Sequence, residues 1–448
     1  MARPGRLFIA AAAGFAFVAL AAFDAAERPE RDWSPLDWLP TERPSQGGPE
    51  MVTLEFSADR TEVIRQGDQF VKRYEGDVVV RANPEVWLTA DEATYSGIDH
   101  EVRLTGRVTI NDSSRTLRAD RMIYYLREHT LAHGRAMLWL SGHVAAADSI
   151  RSLAATTATY WPDADSIVGV GTGGAGVLVR QGRSLLRADT VTYSARTRDI
   201  SAAGRVSMAD STQDVTIRGQ HYRYRGTDSV ATVSGRPVLV RGQGDSAVTV
   251  EADSMRLDER TNRAVAWDSV VIERGAIRGA CDSVIYDDQN EELLLHGRPR
   301  AMQRTTSDTA TTVSEAVGEQ IVLHLDGNRV RQIDIDGSAR TLATEYDSAG
   351  GMQGERWISG RRIVFHVNGE QVTQVDVLGQ ARSRLVPSPS ARQAEGMNEA
   401  SGDTMTISFQ GSRMSRVLLR GGVQGIFWPP PDSTRASRER PAGGRRRG

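Results

Sequence analysis

Ala188-Asp189-Thr190-Val191-Thr192-Tyr193 decides how this chain is read. An Ala-Asp pair is followed, after three intervening residues, by an aromatic. The phrase returns as Ala90-Asp91 to Tyr95 and Ala119-Asp120 to Tyr124. Weaker copies stand at Ala155-Thr156 to Tyr160, Gly219-Gln220 to Tyr224, Ala252-Asp253 to Leu257 and Cys281-Asp282 to Tyr286. Divergent copies begin at Glu319, Arg361 and Asp403. The Asp-equivalent positions are spaced by 29, 36, 33, 31, 33, 29, 37, 42 and 42 residues. A period in this range marks stacked units, each too small to bury a core alone. Function in such a stack belongs to a long surface or groove rather than to one pocket.

A second anchor fixes the register. Gly106, Gly204, Gly235 and Gly297 each follow the Asp-equivalent by 15 residues, with Val108, Val206, Pro237 and Pro299 two further on. For Gly337, Gly379 and Gly421 the interval is 18. Between the anchors apolar residues alternate with polar ones: Val102 and Leu104, Val108 and Ile110, Val270 and Ile272, Ile333 and Ile335, Val375 and Val377. Period-two alternation gives a strand one apolar and one wet face. Asp326-Gly327-Asn328 and Asn368-Gly369 are hairpin signals between such runs. The expected fold is all-β: an elongated stack of β-jelly-roll or β-solenoid-like repeats, about ten units of roughly 29–42 residues, with three or four short strands per unit. At about 4.8 Å per rung the stack would be on the order of 100 Å long. The repeated Asp is read as a turn residue, accepting bonds from backbone N–H groups two residues on.

Composition excludes several functions. The net charge of −2 and an aromatic content of 6% argue against nucleic acid and against a stacking platform for sugars. The single cysteine, Cys281, allows no intrachain disulfide and no thiolate cage. It takes the place of a repeat Ala and is read as a small buried residue. No metal and no cofactor is expected. Gly171-Thr172-Gly173-Gly174-Ala175-Gly176 matches a dinucleotide fingerprint in letters, but Val177-Leu178-Val179 follows instead of a helix. His129 and His133 lie four apart without the glutamate of a metalloprotease helix. Asp334 and Asp336 share a strand face and are read as solvated, since Ile333 and Ile335 take the other. No catalytic residue is expected, and the chain is read as not an enzyme.

The ends differ from the middle. Arg3 and Arg6 precede an uncharged run from Leu7 to Phe23. This is read as a signal peptide, or as an N-terminal membrane anchor if uncleaved, within residues 1–23. The β region is then expected in the periplasm. Residues 24–50 carry Pro29, Pro35, Pro40, Pro44 and Pro49 and read as a linker. Repeats fill 51–305, divergent repeats 306–428, and 429–448 is a basic tail.

The stretches Leu117-Arg118-Ala119-Asp120-Arg121-Met122-Ile123-Tyr124 and Leu186-Arg187-Ala188-Asp189-Thr190-Val191-Thr192-Tyr193, with Leu104-Thr105-Gly106-Arg107-Val108-Thr109-Ile110, resemble the OstA-like family. That family is the periplasmic bridge module of the lipopolysaccharide transport (Lpt) system. The resemblance implies a half-open β-jelly roll whose apolar groove holds acyl chains. It also implies lipopolysaccharide or another acylated glycolipid as ligand, carried towards the outer membrane. Alternation nominates Val78, Val80, Leu104, Val108, Ile110, Leu117, Val206, Val238, Val240, Val270 and Ile272 as groove residues. A uniform lining would let a lipid slide without a deep trap. Strands at the ends of the stack, near Val52, Leu54 and Phe56 and near Val417, Leu418 and Leu419, are candidate docking edges for other β-roll proteins. The competing reading is an envelope scaffold of β repeats that binds no lipid. An open apolar slot would mark the conduit, and an interior closed by large side chains the scaffold.

Overall fold

The computed structural model describes residues 54–429 apart from 68, 84–85, 112–114, 149–150, 211–213, 245–246, 307–309, 327–328, 370, 389–395 and 412. Thirty β-strands account for most of them, joined by hairpins and by two single-turn 3-10 helices at Thr130–Ala132 and Pro162–Ala164. The fold is all-β and antiparallel. The glycine-rich stretch from Gly171 to Gly176 is a turn leading into β10 (Val177–Gln181), and His129 caps the 3-10 turn by accepting from the Leu131 N–H.

No helix among the described residues is long and apolar enough to cross a membrane. The expectation of a location held by an N-terminal helix is corrected on that finding. The segment 7–23 on which it rested, the linker 24–50 and Val52 lie outside the described residues.

The chain divides into two compact units. Within the described residues one comprises 54–241 with 253–264, and the other 242–252 with 265–429. In both, each strand pairs antiparallel with strands one to three places away along the chain. The strands are longer than the short runs read from the sequence. β5 (Glu101–Asn111) and β6 (Thr116–Tyr125) have 11 and 10 residues, and β25 (Arg329–Asp347) has 19. The reason lies at the repeat motif, where the strand bends without ending. Between β5 and β6 the pairing runs to Thr105, skips Gly106-Arg107, and resumes at Val108. Opposite the skipped pair lie Asp120 on one side and Ala90-Asp91 on the other. The same two-residue break interrupts β25 between Asp336 and Ala339, and β27 (Gln371–Val386) between Leu378 and Ala381.

The bend is made by two successive left-handed residues. Gly106 has φ 74° and Arg107 φ 43°, and Gly204 and Arg205 have 73° and 44°. The pair recurs at Gly76-Asp77, Gly142-His143, Gly235-Arg236, Gly297-Arg298, Gly337-Ser338 and Gly379-Gln380. Only glycine enters this region without steric cost, which explains the first residue. Bulges with a left-handed residue bend the strand and raise its twist. Each wall-to-wall strand is thereby folded in half, with an apolar interior between the two walls.

Candidate functional site

At most fold lines the residue at the repeat Asp position meets the glycine of the next strand. The Asp189 N–H donates to the Gly204 carbonyl at 2.8 Å, and the Asp403 N–H to that of Gly421 at 2.8 Å. The carboxylate lies over the glycine: a Cβ on Gly106, Gly142 or Gly204 would come within 2.9 Å of the Asp91, Asp120 or Asp189 Cβ. The residue after the glycine then pairs back. Arg107 Nε donates to Asp91 Oδ1 at 2.9 Å, Arg205 Nε to Asp189 Oδ1 at 2.8 Å, and His143 Nδ1 lies 2.8 Å from Asp120 Oδ2. The reading of this Asp as a cap for N–H groups two residues on is therefore corrected. Its partners lie across the ladder, 15 or more residues away in sequence. Two fold lines escape the sequence pattern. Asp59 covers Gly76, and Asp120 reaches Gly142 over 22 residues because the Thr130–Ala132 turn is inserted between them.

Inside the fold line the motif's small residue faces its branched one. Val78 pairs with Ala90, Val108 with Ala119, Val144 with Ala155, and Val177 with Ala188. Alternating large and small residues lets the two walls approach closely at the crease. Further out on one wall runs a row of Val80, Leu88, Ile110, Leu117, Ala146 and Leu153. It continues through Val179, Leu186, Met208 and Ile217. On the other wall Ala93, Leu104, Met122, Leu140 and Ala158 form the inner row. Along its outer margin runs a row in which the motif's aromatics alternate with aliphatics: Tyr95, Val102, Tyr124, Leu138, Tyr160, Ile167, Tyr193, Ile200 and Tyr224. Burial pushes the phenols of Tyr124, Tyr193 and Tyr222 upward, so they remain neutral hydroxyls at ordinary pH.

Of the nominated groove residues, Val78, Val80, Leu104, Val108, Ile110, Leu117, Val206, Val270 and Ile272 are at most 3% exposed. They are buried between the two walls. Val238 and Val240 are placed differently. They pair with Arg218 and Thr216, while Leu239 pairs with Ile217 of the inner row. Their assignment to the inner face is corrected by that register. After Gly235 it is Pro237 and Leu239 that keep the inward parity of Val108 and Ile110.

The lining is not uniform. In the unit containing residues 265–429 one wall carries polar side chains inward. Ala316, Thr341, Ile358 and Ser383 form one row, and Ser314, Ala343 and Arg356 the next. A cleft there is lined by Thr312, Ala343, Glu345, Gly354, Arg356, Val386 and Ser388. The other wall stays apolar, with Ile333, Ile335, Ile363, Phe365, Val375 and Val377 all buried.

Asp334 is only 3% exposed, which corrects its reading as solvated. It accepts from Gln332 Nε2 at 2.8 Å and Arg362 Nη2 at 2.6 Å, and lies 3.0 Å from His324 Nε2. One repeat on, Asp376 takes the same place with Gln374, Thr406 and His366. Burial raises its pKa, but these hydrogen bonds outweigh it and hold the carboxyl below its usual range. Both carboxylates are saturated by structural partners. Among the described residues no group of His, Cys, Asp and Glu has the arrangement of a metal site.

The outermost strands of the two units are half-paired. β1 (Glu55–Ser57) and β2 (Arg60–Gln66) pair with β3 (Gln69–Asn83), on either side of its bend. β29 (Arg413–Arg420) and β30 (Gln424–Trp428) pair with β28 (Met397–Gln410) in the same way. Exposed apolar side chains gather on them: Val63, Ile64 and nearby Phe70 in the unit with β1, and Met414, Val417, Ile426, Phe427 and Trp428 in the unit with β30. Leu54 and Phe56 instead pack against the core, with Phe56 stacked 4.5 Å from Tyr74. Leu418 and Leu419 are half-buried.

No family model matches the chain, and no curated protein sequence does. Among solved structures it is similar to LptH, the LptA-homologous periplasmic component of the conserved lipopolysaccharide transport device from Pseudomonas aeruginosa. The match covers 29% of this chain and 81% of LptH, at 20% sequence identity and a TM-score of 0.21.

Proposed function

We propose that this chain binds lipopolysaccharide or a similar acylated glycolipid between its two walls and serves as a component of a lipid transport bridge. The supporting observation is the continuity of the inner rows. From β3 to β14 (Val215–Arg225) one wall presents Val, Leu, Ile, Ala or Met at the same height in successive strands. An acyl chain lying along such rows gains about 0.8 kcal/mol per buried methylene wherever it sits. Its position is then weakly specified, as a carrier requires. The reading is one of binding alone, with no chemistry assigned to any residue. The half-paired strands β1, β2, β29 and β30 are offered to other β-roll proteins, because unpaired main-chain groups recruit strands.

The scaffold reading also has an observation in its favour: the packed interior, with Leu104, Met122 and Leu140 at most 1% exposed. Lipid must part the walls to enter. Native mass spectrometry of the full-length chain separates the two. Binding predicts adducts of acylated glycolipid mass at about one or more per chain, removed by detergent stripping and restored by reloading. A correctly folded chain that neither carries nor takes up lipid supports the scaffold.

A further inference from the structure

The interior is bridged across its mouth by polar groups. β6 and β8 (Arg151–Trp161) each run from one wall to the other. Extended, the ten steps from residue 115 to 125 would span about 33 Å. Yet Arg115, just before β6, is bonded to Asp165, which follows the 3-10 turn at the far end of β8. Arg115 Nη2 donates to Asp165 Oδ2 at 2.8 Å and Nη1 to Oδ1, and both side chains are about one-fifth exposed, at 19% and 22%. Beside them the Arg151 guanidinium lies 5.3 Å from the centre of the Tyr193 ring. Arg115 and Arg151 have the strand parity of Leu117 and Leu153, so both belong to the inner face of one wall. Tyr193 belongs to the marginal row of the other. Arg151 Nε donates to Gln181 Oε1 at 2.8 Å, but its Nη1 and the Tyr193 hydroxyl are buried without a partner. Two unpaired donors, one of them on a guanidinium, at the margin of an apolar interior suit an anionic oxygen carried by a lipid.

Resting on the reading of this interior as a lipid site, we propose that the Arg115–Asp165 and Arg151–Tyr193 contacts form a lateral latch. A phosphorylated acyl lipid parts it to enter sideways, and its phosphate then accepts from Arg151 and the Tyr193 hydroxyl. The ion pair resists opening because parting the walls leaves each charge without its partner. Filling the interior separates the walls without leaving Arg151 and Tyr193 unsatisfied.

The test follows uptake of a fluorescent acylated glucosamine phosphate by the full chain, with the dephosphorylated lipid as second probe. In a Cys281→Ala background, Arg115→Cys and Asp165→Cys are joined by a cleavable bis-maleimide. The latch predicts uptake at least tenfold slower when joined, recovering when the linker is cut in the same sample. Arg115→Gln and Asp165→Asn, held to the parental β-sheet circular dichroism, should each speed uptake and release several-fold. Arg151→Gln should weaken the phosphorylated probe at least fivefold and leave the other unchanged. Uptake at the parental rate by the joined protein overturns the latch, since entry is then through the ends. Equal weakening of both probes by Arg151→Gln overturns the phosphate contact. A parent that binds neither probe is a different result, and removes the lipid reading itself.

Discussion

Asp189 and Gly204 lie 15 residues apart in sequence and touch across the ladder: the Asp189 N–H donates to the Gly204 carbonyl at 2.8 Å, and its carboxylate occupies the space where a Cβ at 204 would be. The two most repeated letters of the motif are thus one contact. Glycine is required twice over at this crease, by its left-handed φ of 73° and by the acid above it. Where the acid is replaced, the place is still filled by a side chain, as Gln220 fills it over Gly235 and Glu319 over Gly337.

Gly204→Ala should therefore destabilise its unit by about 1–3 kcal/mol, from the left-handed backbone and the displaced Asp189. Gly182 is also left-handed, at φ 54°, but a Cβ added there would meet nothing within 4 Å. It serves as control: its Ala variant should lose only the backbone part. Urea midpoints measure both. Equal losses would mean that the Asp–Gly contact adds nothing.

Among the described residues one crease has no glycine. Asp268 and Ser269 hold φ 63° and 56° where the other creases begin with Gly. Asp268→Gly should raise stability by up to about 1 kcal/mol, the penalty a side chain suffers there. A lowered midpoint would show that the Asp268 side chain contributes more than its backbone costs.

The two faces of one strand should respond differently. Leu104 is 1% exposed, and Leu104→Ala should cost about 2–5 kcal/mol. Thr105, exposed on the opposite face, should change stability by less than about 0.5 kcal/mol when replaced by Ala. Similar losses at both positions would contradict the assigned faces.

Burial, and then the neighbouring Asp282 charge, push the Cys281 thiol up to about 12. A thiol has its ordinary pKa of 9.0 once unfolded. The contribution to stability is fully present below the unfolded value and is lost as pH rises towards the folded one. At pH about 9.5 the native thiol should resist a maleimide that labels the urea-unfolded chain completely. Equal labelling rates in the two states would contradict the burial of Cys281.

The all-β class and the repeat register were legible because crease chemistry recurs. Ala-Asp and Gly-x-Val are both fixed by one bend, and the bend is the same in each unit. Strand length was not legible, because a left-handed Gly pair reads as a turn until the ladder is seen to resume beyond it. Val238 and Val240 misled for a related reason. Chemical type pointed inward, but parity counted from Gly235 gives the inward places to Pro237 and Leu239. The burial of Asp334 depends on Arg362, 28 residues away, and the latch on Arg115 and Asp165, 50 apart. The first lies between paired strands and recurs one repeat on at Asp376, but alternation alone places both Asp residues on the wet face. The second needs two walls that only folding brings together.

The most direct measurement places a leucine-sized diazirine amino acid at Leu104 or Val108, and in separate variants at Thr105 or Thr109, then irradiates the chain loaded with an acylated glycolipid. Lipid between the walls predicts adducts from 104 and 108 and none from 105 and 109. Equal labelling of the two sets, or labelling only of the outer set, would contradict an interior that holds acyl chains.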